Sequence, residues 1–77
     1  MEITFENVRD IIVDTLSCDK EQVTLTTNLA EDLEADSLEL VELSMALQEA
    51  LGVGIEDSDL EKIKTVADIL EYLNAKQ

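Results

Sequence analysis

Ser37 stands between Asp36 and Leu38-Glu39, and in this short run the sequence comes nearest to chemistry. A hydroxyl in the first turn of a helix faces unpaired backbone N–H groups and the positive end of the helix dipole, and both favour an attached phosphate. Serine is also common wherever a helix begins, so position alone leaves a plain capping role open. The remaining reactive groups do not assemble into a catalyst. The chain has no His, a single Cys (Cys18) and no close Ser–Lys pair, so the common nucleophile-plus-base constellations cannot be assembled. Carboxylates are plentiful, yet a glycosidase-type pair needs a sugar-binding cleft, which a chain of 77 residues with 3% aromatics does not offer. Calcium chemistry fails at Asp57-Ser58-Asp59-Leu60-Glu61, because the sixth loop position is Lys62 where Gly is required and the twelfth is Asp68. No catalytic residue and no specific metal site is expected, only divalent cations held loosely by the acids.

The elements that must position Ser37 read as helices. Pro is absent, Gly occurs only at 52 and 54, and aromatics are few, which disfavours strands joined by tight turns. Phe5, Val8, Ile12 and Leu16, widened by Ile11, repeat at three- and four-residue spacing, with Thr4 as N-cap and an end at Ser17 to Asp19. From Asp19 to Asp36 only Val23, Leu25, Leu29 and Leu33 interrupt polar residues, which reads as a long loop pinned by its leucines. Asp36 and Glu39 then form a capping box for a second helix from Ser37 to about Leu51, stopped by Gly52. Leu40, Leu43, Leu47 and Leu51 make one apolar stripe on it, and Leu38, Val41 and Met45 an offset one, so this helix needs two apolar surfaces. Asp57 to Ile63 suffices for a short helix. Thr65, with Asp68 at the third helical position, caps a last one that buries Val66, Ile69, Leu70 and Leu73. The expected fold is all-α, a small bundle of three longer helices and one short one, forming a single domain over residues 1–77.

Five Lys and Arg against nineteen Asp and Glu give a net charge of −14. That balance excludes nucleic acid and anionic lipid surfaces as partners, and no apolar run is long enough for membrane insertion. A lone cysteine and the lack of a basic, then apolar, N-terminal run suit a cytoplasmic protein. Every basic residue lies outside the stretch from Glu21 to Glu61. Glu31, Asp32, Glu34 and Asp36 crowd the start of the second helix, and Glu39, Glu42 and Glu49 flank Leu38, Val41 and Met45. Apolar anchors rimmed by one sign of charge suit a basic partner, although acids on a helix face are more often a solvated surface.

The run Glu31-Asp32-Leu33-Glu34-Ala35-Asp36-Ser37-Leu38-Glu39-Leu40-Val41-Glu42-Leu43 strongly resembles the modification motif of acyl carrier proteins. Met45 to Leu51 continues the second helix as that family does, and Lys62-Ile63-Lys64-Thr65-Val66-Ala67-Asp68 matches the approach to its last helix. The resemblance implies a monomeric, non-catalytic carrier whose Ser37 receives 4′-phosphopantetheine from coenzyme A through a separate phosphopantetheinyl transferase. The thiol of that arm would hold growing fatty-acyl chains as thioesters and deliver them to the enzymes of dissociated fatty acid synthesis, the alternative being a polyketide or other specialised acylation pathway. By the same correspondence Asp36, Leu38, Glu39, Val41, Glu42, Met45 and Glu49 would meet the basic docking patches of those enzymes. Leu47, Leu51, Ile55, Leu60, Ile63, Ile69 and Tyr72 would line a cleft for the acyl chain. A rival of another class is an acidic helical binding module that is never modified.

Three sites depart from the family pattern. Glu34 stands where Gly is usual, adding charge beside the attachment site and removing backbone freedom. Glu56-Asp57 stands where many relatives carry Pro, and Ile69 is bulkier than the small residue often found there, which would shorten the cleft. Cys18 has no part in the motif and reads as a half-buried thiol in a loop or at a helix end.

Overall fold

The computed structural model describes residues 2–75. Three α-helices carry the fold: α1 (Phe5–Leu16), α2 (Ser37–Leu51) and α3 (Val66–Ala75). Two 3-10 segments, Lys20–Gln22 and Asp57–Lys62, lie in the connections. Among the described residues there is no β-strand, only an isolated antiparallel bridge between Asn28 and Thr65.

Each helix begins and ends where its side chains supply what the backbone lacks. Thr4 Oγ1 accepts from the Asn7 N–H at 3.2 Å, and α1 ends at Ser17, which takes the left-handed conformation at φ 55°. Gly52 closes α2 at φ 67°, where a side chain would be strained, and its N–H returns to the Gln48 carbonyl. Thr65 Oγ1 accepts from the Asp68 N–H, while Asp68 Oδ2 accepts from the N–H groups of Thr65 and Lys64. These bonds hold the Asp68 carboxyl below its ordinary value.

The core gathers Val8 and Ile12 of α1, Leu43, Leu47 and Leu51 of α2, and Val66, Ile69 and Leu73 of α3. Burying each such aliphatic side chain contributes about 1.5–3 kcal/mol. α1 packs chiefly on α2 and more lightly on α3, and the second 3-10 segment rests on α2. Leu70 is only half-buried, at the edge of the face expected for α3. The expected short fourth helix over Asp57 to Ile63 is 3-10 and ends at Lys62.

The connection between α1 and α2 is more ordered than a loop pinned by leucines. Val23 and Leu29 are buried, whereas Leu33 is half-buried and the Leu25 side chain is 48% exposed. Leu25 contributes through its backbone: its carbonyl accepts from the Ala67 N–H at 3.0 Å, beside Val66 N–H to the Thr27 carbonyl and Leu29 N–H to the Lys64 carbonyl. Inside the loop, Asn28 Oδ1 accepts from the N–H groups of Ala30 and Glu31, and Asp32 Oδ2 accepts from the Asn28 N–H. The stretch leading to Ser37 is therefore tied to the start of α3. The 3-10 turn at Lys20–Gln22 has Asp19 before it, whose N–H donates to Gln22 Oε1 at 2.9 Å.

Candidate functional site

Ser37 is the first residue of α2 and is exposed. Its neighbours fix the turn it sits on: Asp36 Oδ1 accepts from the Glu39 N–H at 2.9 Å, and the Asp36 N–H reaches Glu39 Oε1 at 3.5 Å. The Asp36 carbonyl accepts from the Leu40 N–H, so the helix is closed from its first turn. The N–H groups of Ser37 and Leu38 have no acceptor within the helix, as at any helix start, and they point the same way as the dipole. An anion on Ser37 Oγ fits this donor set. It would also stand among the Asp36 and Glu39 carboxylates, which disfavour bringing further negative charge to Ser37.

The two-surface expectation for α2 matches the exposures. Leu43, Leu47 and Leu51 are buried, whereas Leu38 is 68% exposed, Met45 61% and Val41 38%. Glu42 and Glu49 are exposed beside them, Asp36 is exposed, and Glu39 is half-buried by its cap. These residues form one ridge starting at Ser37, apolar along its crest and acidic on its flanks. Of the basic residues, Arg9 is turned to Asp10 at 3.3 Å and Lys62 to Asp59 at 3.5 Å, neither on this ridge.

Behind the ridge lies a small, partly open cavity between α2, the second 3-10 segment and α3. Five of the residues expected for the acyl cleft line it together: Leu47, Ile55, Leu60, Ile63 and Ile69. Leu51 and Tyr72 do not. Leu51 is buried a turn beyond, in the core, and Tyr72 turns its hydroxyl outward to donate to Asp59 while accepting from the Glu56 N–H at 3.5 Å. Tyr72 thus fastens the 3-10 segment that walls the cavity and does not line it. Sequence reasoning missed Leu29, Leu40, Leu43 and Ser44, which complete the lining. Leu29 was legible only as a loop pin, and Leu40 and Leu43 only as the core stripe. The cavity holds about 10 Å³, room for roughly one water and no more, so a chain could enter only by parting its aliphatic walls. Leu40 and Leu60 border both this cavity and an open surface groove that begins at Ser37, and they mark its mouth.

The departure at Glu34 has a geometric meaning. Glu34 adopts φ 56°, the left-handed region that glycine enters freely and other residues enter at a cost. Cys18 is half-buried, and that burial, reinforced by Asp19, pushes its thiol above the ordinary value and makes it a poor nucleophile.

A profile of phosphopantetheine attachment-site domains matches residues 6–73 of this chain. The chain belongs to the acyl carrier protein family. It is 56% identical over 72 residues to an acyl carrier protein of Petrotoga mobilis, covering 94% of this chain and 85% of that one. It is similar too to the acyl carrier proteins of Thermosynechococcus vestitus, 52% identical over 92% of this chain and 88% of the relative, and Helicobacter hepaticus, 46% over 96% and 97%. Phosphopantetheine is the prosthetic group of the family. Its members are carriers and generally not catalysts. No helix among the described residues is long and apolar enough to cross a membrane.

Proposed function

We propose that this chain is a single carrier domain that bears 4′-phosphopantetheine on Ser37 and presents fatty-acyl thioesters to the separate enzymes of dissociated fatty acid synthesis. The observation that carries the reading is the placement of Ser37. It is exposed on the first turn of a doubly capped helix, at the head of an apolar and acidic ridge, and opens onto the groove that leads to the cavity mouth.

In the modification, Ser37 Oγ forms a bond to phosphorus as the pyrophosphate bond of coenzyme A breaks, and 3′,5′-adenosine diphosphate leaves with the electron pair. The hydroxyl proton passes to a base of the phosphopantetheinyl transferase, since this chain has no His to take it. Asp36 holds Ser37 in place through the cap to Glu39. Once bound, the arm supplies a thiol that holds acyl groups as thioesters. The chain's own residues then do two things. Leu38, Val41 and Met45 give partner enzymes an apolar surface to desolvate, and Glu39, Glu42 and Glu49 attract their Lys and Arg patches and set orientation. Leu47, Ile55, Leu60, Ile63 and Ile69 part to admit the acyl chain and exclude water from it. A single half-buried thiol at Cys18 is compatible with work in a reducing cytoplasm.

Intact-mass measurement after incubation with coenzyme A and a broad-specificity phosphopantetheinyl transferase tests the attachment. The parent should gain one phosphopantetheine and Ser37→Ala none. A parent that gains nothing while a known carrier is modified in the same tube overturns the reading and leaves an acidic binding module.

A further inference from the structure

Eight of the nine side chains around the cavity are aliphatic, and the ninth is Ser44. Ser44 is 3% exposed, so its hydroxyl has been taken out of water and needs partners inside the protein. Gln48, one turn on, supplies one: Gln48 Nε2 donates to Ser44 Oγ at 3.1 Å. A hydroxyl both donates and accepts, and that bond uses one of the two roles. The usual second partner of a serine within a helix is the carbonyl one turn earlier, and Ser44 makes no such bond, Gln48 being its single side-chain partner among the described residues.

We infer that Ser44 sets the acyl preference of this cavity, favouring chains that carry a hydroxyl close to the thioester. The inference rests on the reading of the cavity as the acyl site. Leu40 marks the mouth, and Ser44 lies four residues further along α2, about 6 Å along the helix axis. A chain whose thioester rests at the mouth passes Ser44 with its first few carbons. A saturated chain there leaves the second role of Ser44 unused in an apolar wall, whereas a 3-hydroxyacyl chain brings an oxygen that both accepts and donates. The preference is relative, because the eight aliphatic walls receive either chain.

The test loads the phosphopantetheinylated protein with octanoyl or 3-hydroxyoctanoyl groups and measures the rate of thioester cleavage by hydroxylamine. Each rate is divided into that of the matching coenzyme A thioester, which removes the intrinsic effect of the hydroxyl and leaves a protection factor. The ratio of hydroxyoctanoyl to octanoyl protection should be about three- to tenfold higher in the parent than in Ser44→Val, the range that one neutral hydrogen bond supplies. Ser44→Ala, which adds no bulk to so small a cavity, should lower the ratio likewise, so an effect confined to Ser44→Val counts as overfilling and overturns the inference. A ratio unchanged in both variants, with octanoyl still protected, overturns the role of Ser44 alone. Octanoyl cleaved as fast as its coenzyme A thioester in all three proteins overturns the cavity as acyl site, and the inference with it.

Discussion

Replacing Glu34 with Gly should make the protein more stable, against the usual outcome of adding glycine. Glu34 is held at φ 56° in the turn that delivers the chain to Asp36 and Ser37. An L-residue in the left-handed region costs about 1–2 kcal/mol through the clash of Cβ with the backbone. Glycine removes that cost but gives back about 0.5–1 kcal/mol through the greater freedom of the unfolded chain. Glu34 is exposed, so the substitution loses little packing. The net gain is about 0.5–1 kcal/mol, which in a domain of this size moves Tm by about 2–8 °C. Loss of a carboxylate among Glu31, Asp32 and Asp36 would also help, and Glu34→Gln separates the two contributions by removing charge and keeping Cβ. Thermal melts followed by circular dichroism at low and high salt should place Glu34→Gly above Glu34→Gln at every salt concentration, because strain is not screened. Ser17→Gly, at φ 55° at the end of α1, should show a gain of similar size with no salt dependence. If Glu34→Gly melts no higher than Glu34→Gln, the strain argument is wrong.

Three further outcomes follow from named contacts. Leu47→Ala should cost about 2–5 kcal/mol in urea unfolding, because Leu47 is 2% exposed and its loss enlarges a cavity already present; a change near zero would mean that the walls collapse without cost. Asp68 is held below its ordinary 3.8 by the backbone N–H groups of Thr65 and Lys64, so its contribution is complete above about pH 4 and is lost as pH falls through the lower folded value. Asp68→Asn should therefore melt below the parent at neutral pH and converge with it in acid, and a gap that persists at the lowest pH would refute the assignment. With a net charge of −14, added salt or millimolar magnesium should raise Tm by screening the acids around α2, and a flat response would show that they are too dispersed to repel.

Most of what positions Ser37 was legible because its signals are local. Asp36 with Glu39, Thr65 with Asp68, and Gly52 each act within one turn, and each formed the cap that its spacing implies. The exposed stripe of Leu38, Val41 and Met45 was legible for the same reason, since helical period alone separates it from Leu40, Leu43 and Leu47. What failed depends on contacts far apart in the chain. Leu25 read as a pin because it is apolar, but its carbonyl does the pinning, through Ala67. Leu51 and Tyr72 share faces with cavity residues, yet only the packing of the 3-10 segment decides which of them meets the space. Ser44 sits on the buried side of α2 as a polar residue, a signal that the apolar pattern passes over. The turn at Lys20–Gln22 did carry a signal, Asp19 with Gln22 three residues on, too short a stretch for helical periodicity to register.

The bridge between the loop before α2 and the start of α3 has a consequence for amide hydrogen exchange. The first amides of a helix ordinarily exchange fast, having no acceptor behind them. Here Val66 and Ala67, the first two of α3, donate to Thr27 and Leu25. Their exchange, and that of Leu29, should slow together and share one opening free energy, while the amides of Ser37 and Leu38 remain fast. Such an opening breaks the tie between two distant parts of the chain and leaves the α1–α2 contact whole. The platform under Ser37 can then detach from α3 as a unit, on a slower clock than the fraying of any single helix.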